Sequence, residues 1–469
     1  MEKFIFVLGS NWKLSLAELD KVLQSPRFKG KIVDYSANIA VVEFEKLHKN
    51  QYYINKLEEL QYFLGGTQKI GKIYDFLNFQ ILNWAFPTKI EEYNQLKRAR
   101  KEIIDLLDKK LEEVFPTIED EPLFFAVSIY PNFFDDDYYR NVLVKHFLPF
   151  LNKKISNILK EKGASKAIYF RYPEKNLKSG NLNPIFPHHV IKYELLREDK
   201  AELLFGITEE GLYIGRTFTT DDPNFKKKVD EKRPFKEFKS SISPKLAIMM
   251  LNFLGLHKNR EKKRVLDPFC GNGTVLLFAY LEDFQIYGTD IDPEKINHTR
   301  RNLEWLSEEL NLPPINMLNE RIKEMDIRKL SNKFEANYFD GIITEPHLGP
   351  YYTTEPYYNQ VREKIEEELT PMYNTIFEES YKILKPQRRI AIVSPSISVL
   401  DAEKDLRINI EKIAQANNFK VIPLLSSRRI ANKSDRRLQF RKKTLNSLLE
   451  AKESQIIKRK IYCFEKEGN

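Results

Sequence analysis

The sequence predicts an α/β protein in which a doubly wound parallel sheet follows smaller units of mixed α+β structure. Two observations predict this fold class. Four short apolar runs, RVLDPF, IYGTDID, FDGIITEP and RIAIVSP, alternate with helical stretches after residue 244, and such alternation is typical of parallel sheets covered by helices on both faces. The first run is followed by a Gly-containing loop and a helix, as in Rossmann-like domains that bind nucleotides.

Length and changes of pattern divide the chain into four parts. At roughly 150 residues per domain, 469 residues suggest about three domains. Residues 1–59 and 60–221 contain strand-like and helical runs in mixed order, residues 222–243 are polar and charged, and residues 244–469 carry the parallel sheet. We therefore expect two N-terminal domains, a linker and a C-terminal domain.

Local patterns place several elements. Phe4–Gly9 and Ile39–Phe44 are predicted strands, and Ser15 with Glu18 predicts a capping box at the start of the helix between them. Four later runs, AIYFRY, HHVIKYELL, AELLFGIT and GLYIGRTF, are predicted as short strands. Ser243–Pro244 is a typical helix N-terminus before KLAIMMLNF.

Composition excludes several classes of protein. Hydrophobic residues make up 42% and charged residues 30% of the chain, which is typical of globular domains rather than of disorder. With only two cysteines, a disulfide framework and a Cys-rich zinc module are excluded, and we expect no metal. We find neither a leader peptide nor a membrane span, which favours a cytoplasmic protein. The net charge of +9 permits a polyanionic partner without proving one.

The loop after the first strand of the C-terminal domain has the character of a ligand site. The strand ends in Asp267, the loop 268–273 has the sequence PFCGNG, and a helix is predicted from about Thr274. It lacks the phosphate-binding lysine of GxxxxGK[ST], and it does not match the dinucleotide pattern GxGxxG. An acid at the strand end suits a ligand with a positively charged amino group, and S-adenosylmethionine carries both such a group and a sulfonium.

Two further acids follow the next strands. Asp290 ends the second strand and is expected to accept hydrogen bonds from the ribose hydroxyls of the ligand. The alternatives are that Asp290 caps the following helix, or that Asp292 replaces it. Asp326 is a candidate for contact with the adenine amino group, with an ordinary solvated loop acid as the alternative.

The fourth strand ends in Thr344-Glu345-Pro346-His347, a candidate acceptor site. The Glu345 carboxylate and the carbonyl before Pro346 can both accept hydrogens of a planar amine, which directs the lone pair of the amine towards the sulfonium methyl. The alternative is a loop acid followed by a proline. His347 is a weaker candidate, for base stacking, proton transfer or plain packing.

Together, DPFCGNGT, GTDID and TEPHLGP resemble the class I S-adenosylmethionine-dependent RNA methyltransferases that carry a THUMP domain. RPFKEFKSSISPKLA narrows the resemblance to the tRNA guanine-N2-methyltransferase group, which modifies the guanosine at position ten. It implies a ferredoxin-like domain at 1–59, a THUMP RNA-binding domain at 60–221 and a Rossmann-like methyltransferase domain at 244–469. It implies tRNA as partner and two sets of site residues: Asp267, Pro268, Phe269, Gly271, Gly273, Thr274, Asp290 and Asp326 for the cofactor, and Glu345, Pro346 and His347 for catalysis.

The chain departs from the Asp-Pro-Pro-Tyr-Gly motif of that group. Glu345 replaces the acid, His347 the second proline and Leu348 the aromatic residue that stacks on the target base. His347, Tyr351 or Tyr352 are candidates for that stacking surface. The departure keeps open an acceptor other than guanine, either another RNA base or a protein amide, and a non-catalytic RNA-binding protein.

Two basic stretches are candidates for contact with the phosphate backbone of RNA, with solvated surfaces as the alternative. One is Phe225–Lys236, in the predicted linker. The other is SSRRIANKSDRRLQFRKKT, which contains Arg428, Arg429, Arg436, Arg437, Arg441, Lys442 and Lys443.

Overall fold

The structure is a computed structural model of the chain. It describes residues 2–44, 51–90, 92–131, 139–170, 185–236, 242–427, 430, 444–451 and 455–468. No helix among these residues combines the length and the apolar composition that crossing a bilayer requires.

The N-terminal half is built on one eight-stranded sheet. Its strands are β1 (Glu2–Leu8), β2 (Lys31–Tyr35), β3 (Ile39–Phe44), β4 (Thr67–Asn78), β5 (Pro122–Tyr130), β6 (Lys166–Tyr169), β7 (Lys200–Ile207) and β8 (Gly211–Thr220), in the order β2-β3-β1-β4-β8-β7-β5-β6. Its helices are α1 (Trp12–Leu23), α2 (Gln51–Phe63), α3 (Phe79–Ala85), α4 (Tyr93–Val114), α5 (Leu148–Glu161), α6 (Pro187–Lys192) and α7 (Pro223–Glu231), with a π-helical segment Tyr139–Phe147 before α5.

The expected boundary between residues 59 and 60 falls inside α2, and strands from both sides of it share this sheet. β1 pairs antiparallel with β4 through residues 4–8, next to its pairing with β3. The two N-terminal units therefore form one continuous sheet, and their division into two named domains stays a prediction.

Three local expectations for this half were wrong. Ser15 does not cap α1, because the side chain of Asn11 accepts from the Leu14 amide and the helix begins at Trp12. Glu18 is not part of a capping box but is fully buried within α1. The run HHVIKYELL is not a strand, since Pro187 starts the short helix α6. Within the predicted linker, residues Pro223–Glu231 form helix α7, which Asp222 caps.

The C-terminal half contains the predicted parallel sheet. Its strands are β9 (Arg264–Asp267), β10 (Gln285–Asp290), β11 (Ile322–Glu324), β12 (Phe339–Thr344), β13 (Leu384–Ile397), β14 (Leu406–Arg407), β15 (Phe419–Val421), β16 (Ser447–Glu450) and β17 (Ile457–Lys466). Its helices are α8 (Pro244–Phe253), α9 (Thr274–Leu281), α10 (Pro293–Glu309), α11 (Leu318–Arg321), α12 (Leu330–Lys333), α13 (Tyr358–Lys364), α14 (Thr370–Ile383) and α15 (Ile410–Ala416), with 3-10 turns at Arg260–Lys262 and Ile327–Lys329 and a π-helical segment at Ile365–Leu369.

The strand order β11-β10-β9-β12-β13-β17-β15 confirms a Rossmann-like, doubly wound sheet. β9 lies at the switch point, pairing in parallel with β10 on one side and β12 on the other. Val265 packs in one apolar core and Leu266 in the other, so helices cover both faces of the sheet. In such sheets ligands bind where the strand order reverses, outside the carboxyl ends of the strands.

A buried polar cluster joins the two halves. Glu18 of α1 accepts from the amides of Gly65 and Gly66, each at 2.8 Å, and from Nδ2 of Asn252 in α8 at 2.7 Å. Burial raises the pKa of Glu18 to about 7, against the lowering effect of these hydrogen bonds. The helix that carries Asn252 begins at Pro244 with Ser243 as its cap, as predicted.

Candidate active site at the carboxyl edge of the sheet

The loop between β9 and α9 is fixed by its glycines. Gly271 and Gly273 have φ angles of +50° and +81°, and residues with a side chain rarely adopt such backbone angles. A Cβ on Gly273 would lie 2.8 Å from Cγ2 of Thr299, whereas a Cβ on Gly271 would meet no atom within 4 Å. Gly273 therefore packs against α10, and Gly271 leaves open space above the loop for a ligand.

Asp267 is the buried acid of the site, with 2% of its surface exposed. Its Oδ1 accepts from the Phe269 amide at 3.1 Å and from the Thr344 hydroxyl at 2.9 Å. Burial raises the pKa of Asp267 to about 7, against the effect of these hydrogen bonds, and the charges of Asp290 and Glu345 raise it further. Asp267 is thus close enough to the acids of both neighbouring strand ends to be affected by their charges.

Asp290 organises the loop and does not cap the next helix. Its Oδ2 accepts from the Gly271 amide at 2.9 Å and its Oδ1 from the Asp292 amide at 3.1 Å. Asp292 is the cap of α10, accepting from the Glu294 amide at 2.9 Å. The capping alternative for Asp290 is therefore wrong, and the carboxylate of Asp290 lies beside the open space over Gly271.

Asp326 follows β11 at the same edge but has a local partner. The Met325 amide donates to the Asp290 carbonyl at 2.8 Å, which ties this segment to the end of β10. The carboxylate of Asp326 accepts from the amide and from the guanidinium of Arg328, both at 3.0 Å, and these bonds lower its pKa to about 2. Contact of Asp326 with adenine would compete with this pairing and stays a prediction.

The expected acceptor residues lie directly after β12. Glu345 is largely buried, with 14% of its side chain exposed, and Pro346 is buried. His347 is exposed, and Tyr351 is 75% exposed, whereas Tyr352 packs against the core on one face of the sheet. Among the three candidates for base stacking, His347 and Tyr351 therefore offer the accessible rings.

Arg459, which lies next to Glu345, was not among the residues predicted from the sequence. Nε of Arg459 in β17 donates to Oε1 of Glu345 at 2.8 Å. Burial raises the pKa of Glu345 to about 6, although the charge of Arg459 and this hydrogen bond lower it. The sequence does contain a signal, because Arg459 stands between Ile457 and Ile461 in the alternating pattern of β17, and a charge at such a position needs a partner when it is buried.

The RPF segment, residues 233–235, holds the loop from outside. The buried guanidinium of Arg233 donates to Oγ1 of Thr274 at the start of α9, at 2.8 Å. The ring of Phe235 stacks on His298 with centroids 4.0 Å apart. Asn302 bonds the backbone of Phe235 in both directions, at 2.9 and 2.8 Å. The segment is therefore part of the site's framework, although the sequence analysis treated it as linker.

The basic stretch in the predicted linker is largely paired within the chain. Lys226, Lys228 and Lys236 form ion pairs with Asp221, Glu309 and Asp230 at 2.6–2.7 Å. These contacts reduce the charge available for RNA. The second stretch lies outside the described residues from Arg428 to Lys443, apart from residue 430.

The acids of the site suit an organic cation. Within the described ranges no group of three His, Cys, Asp or Glu side chains is placed to hold a metal ion. Asp267, Asp290 and Glu345 lie at the carboxyl ends of adjacent strands. A Cβ on Gly271, in the loop after Asp267, would meet no atom within 4 Å. Carboxylates accept hydrogen bonds from ammonium and hydroxyl groups and are stabilised by positive charge.

Comparisons with known proteins identify the domain type. Residues 259–453 match the family model described as a methyltransferase domain. The chain is 27% identical over 199 residues to the tRNA (guanine(10)-N2)-dimethyltransferase of Pyrococcus abyssi, covering 42% of this chain and 49% of that protein. It is 36% identical over 98 residues to the protein of the same name from Methanothermobacter thermautotrophicus, covering 21% of this chain and 28% of that protein. The matches thus span about half or less of these two relatives.

Solved structures of similar outline have low sequence identity. TrmN from Thermus thermophilus superposes over 99% of this chain and 100% of its own, with a TM-score of 0.49 and 12% identity. A putative methyltransferase solved with SAH, SMU.472, gives a TM-score of 0.44 at 11% identity, covering 100% and 98% of the two chains. The family model covers residues 259–453, which carry strands β9 to β16 of the Rossmann-like sheet, and this part of the chain is therefore a methyltransferase domain.

Proposed function

We propose that this protein transfers a methyl group from S-adenosylmethionine to the exocyclic N2 amine of a guanosine in tRNA. The main support for the proposal is that three acids lie at the ends of adjacent strands in a methyltransferase domain. Asp267 and Glu345 are buried acids, and Asp290 borders the open space over Gly271. The names of the curated relatives, tRNA (guanine(10)-N2)-dimethyltransferases, support the choice of tRNA and guanine.

The residues fit the cofactor through charge and hydrogen bonding. Asp267 would accept from the ammonium group, since a cation offsets the cost of keeping this carboxylate ionised in a buried position. Asp290 would accept from the ribose hydroxyls while its bond to the Gly271 amide fixes its orientation. The rest of the cofactor site would be formed by other residues of the loop between β9 and α9: Pro268, Phe269, Gly273 and Thr274. When bound, the cofactor supplies a methyl group made electrophilic by the attached sulfonium.

Glu345 would hold the acceptor amine. Its carboxylate and its backbone carbonyl before Pro346 both accept N–H hydrogens, which directs the nitrogen lone pair at the methyl carbon. Transfer would form a bond from this nitrogen to the methyl carbon, the electrons of the broken carbon–sulfur bond would stay on the cofactor, and the nitrogen would then lose a proton to water. The negative charge of Glu345 stabilises the positive charge that develops on the nitrogen. His347 or Tyr351 would stack on the base.

The N-terminal sheet would bind the RNA. In this proposal, residues 60–221 form the THUMP unit that presents tRNA to the methyltransferase domain. Because phosphate contacts dominate such binding, the affinity for tRNA should fall as salt rises. A slope near zero in a plot of log affinity against log salt would contradict a phosphate-dominated contact.

A combined binding and turnover experiment tests the proposal. Calorimetry with S-adenosylmethionine and methylation of bulk tRNA are measured for the wild type, Asp290→Ala and Glu345→Gln. We expect Asp290→Ala to lose cofactor affinity, and Glu345→Gln to bind cofactor but not to turn over. Binding of tRNA without binding of cofactor by the wild type would instead indicate a non-catalytic RNA-binding protein.

A further inference from the structure

Glu345 and Arg459 form a largely buried ion pair between distant parts of the chain. Nε of Arg459 lies 2.8 Å from Oε1 of Glu345, and their side chains are 15% and 14% exposed. The two residues are 114 positions apart. A charge-assisted bond in such a position has a fixed geometry and is screened less by salt than a surface pair.

The sheet determines how the two residues meet. Glu345 follows β12, and β13 separates β12 from β17, which carries Arg459. Arg459 is opposite Pro395 of β13 in the antiparallel register. The guanidinium thus passes over one strand to reach Glu345. The planar guanidinium with its fixed donors suits this reach and geometry better than the compact ammonium of a lysine.

The other charges around Glu345 are mostly negative. Asp267 of β9 lies close enough for its pKa to be raised by the charge of Glu345, and Glu450 of β16 also raises the pKa of Glu345. Tyr373 of α14 faces the carboxylate with its hydroxyl committed to the Val393 carbonyl at 2.8 Å. Arg459 is the cation that opposes burial and these acids. Nη1 of Arg459 also lies 4.0 Å from Oε2 of Glu450, so the guanidinium is close to both carboxylates.

We propose that Arg459 is a positioning residue for methyl transfer, holding the Glu345 carboxylate ionised and turned so that it accepts the hydrogen bond of the substrate amine. The inference rests on the proposed function, in which Glu345 holds the acceptor. One bond from Arg459 leaves a carboxylate with further acceptor sites, which a substrate N–H can use. A protonated Glu345 would present a hydroxyl donor in one of these directions and would hold the amine less well.

The role of Arg459 differs from that of a phosphate-binding residue. Its side chain is only 15% exposed and is engaged with Glu345, so it offers little charge to RNA. Replacement should therefore change the pH dependence of turnover without changing the salt dependence of tRNA binding. This distinction separates a positioning role from a contact with the substrate backbone.

The test is the pH profile of kcat/KM, measured together with kcat, for Arg459→Gln and Arg459→Lys. The matched control is Lys458→Gln on the same strand, because Lys458 pairs with Asp405 at 3.0 Å instead of with Glu345. Burial and Arg459 are the main causes that place the pKa of the Glu345 carboxyl at about 6 in the protein without substrate, so kcat/KM should fall below about that pH. Arg459→Gln should lower kcat about tenfold near neutral pH and move this acid limb up by about one pH unit, with partial recovery at higher pH.

The remaining outcomes are distinct. The acid limb of the pH profile of Arg459→Lys should lie between those of the wild type and Arg459→Gln. Lys458→Gln should have the same acid limb as the wild type. All variants should bind S-adenosylmethionine within about twofold of the wild type. If Arg459→Gln does not fold, the shift in the acid limb of Arg459→Lys tests the inference instead. An unshifted limb, or a loss of kcat equal at every pH, would overturn the inference.

The same experiment separates this inference from the proposed function. Unchanged turnover in Glu345→Gln would overturn the assignment of Glu345 and, with it, any role of Arg459 through Glu345. An inactive Glu345→Gln beside an Arg459→Gln with wild-type rate and limb would overturn only the role of Arg459. Absence of tRNA methylation by the wild type would overturn both.

Discussion

Replacing Asp267 by Asn should stabilise the protein at alkaline pH while weakening cofactor binding. Asp267 is 2% exposed, and burial raises its pKa from 3.8 to about 7. Because its folded pKa is raised, the carboxyl contributes stability below about pH 3.8 and loses that contribution as the pH rises through about 7. Above about pH 7 the folded protein therefore carries the full cost of an ionised buried carboxylate.

The size of the effect follows from the shift. A difference of about three pKa units corresponds to about 4 kcal/mol at 1.36 kcal/mol per unit. An asparagine keeps an oxygen that can accept from the Phe269 amide and the Thr344 hydroxyl, but its amide hydrogens need a partner. We therefore expect Asp267→Asn to raise the free energy of unfolding by about 2–4 kcal/mol near pH 8.

Urea unfolding of Asp267→Asn near pH 8 and near pH 4 measures this difference. The gain should be present at the higher pH and largely absent at the lower one. Asp292→Asn is the matched control, since this half-buried residue caps α10 and asparagine caps a helix about as well as aspartate. A destabilised Asp267→Asn near pH 8, or an equal gain at both pH values, would refute the reasoning. Calorimetry should show weaker binding of S-adenosylmethionine by Asp267→Asn.

The remaining predictions concern the loop and the junction between the two halves. Gly273→Ala should cost about 2–4 kcal/mol in unfolding free energy, since a Cβ at φ +81° would overlap Thr299. Gly271→Ala meets open space and should cost only about 1 kcal/mol, while weakening cofactor binding in calorimetry; equal costs for the two glycines would contradict this packing. Asn252→Ala removes a donor from the buried carboxylate of Glu18 and should cost about 2 kcal/mol in urea unfolding, and a neutral effect would argue against the buried cluster.

The parallel sheet and its loop were predictable because their signals are local. Each buried strand is a continuous apolar run, and Asp267 and Asp290 end two of them. Parallel pairing then brings both acids to the same edge. The division of roles between Asp290 and Asp292 was not predictable, since both precede the same helix and only the hydrogen bonds show which residue caps it.

Expectations failed where a tertiary contact outweighed a local pattern. Ser15 and Glu18 have the spacing of a capping box, but Glu18 instead satisfies two amides at Gly65 and Gly66 after the next helix. His188 and His189 were placed on a strand, although Pro187 is well suited to the first turn of a helix.

The partner of Glu345 lies outside every motif. The two residues of the Glu345–Arg459 pair are far apart in the chain, and only the order of β12, β13 and β17 brings them together. Sequence patterns therefore located the acid but not the cation that controls it.

The most direct test of the account is to locate the transferred methyl group. Purified protein is incubated with S-adenosylmethionine carrying an isotope-labelled methyl group and unmodified tRNA, and the digested nucleosides are identified by mass spectrometry. The account predicts label on N2 of guanosine, as mono- or dimethylguanosine, and none with Glu345→Gln. Label on another base, or wild-type protein that binds both tRNA and cofactor but transfers nothing, would contradict it.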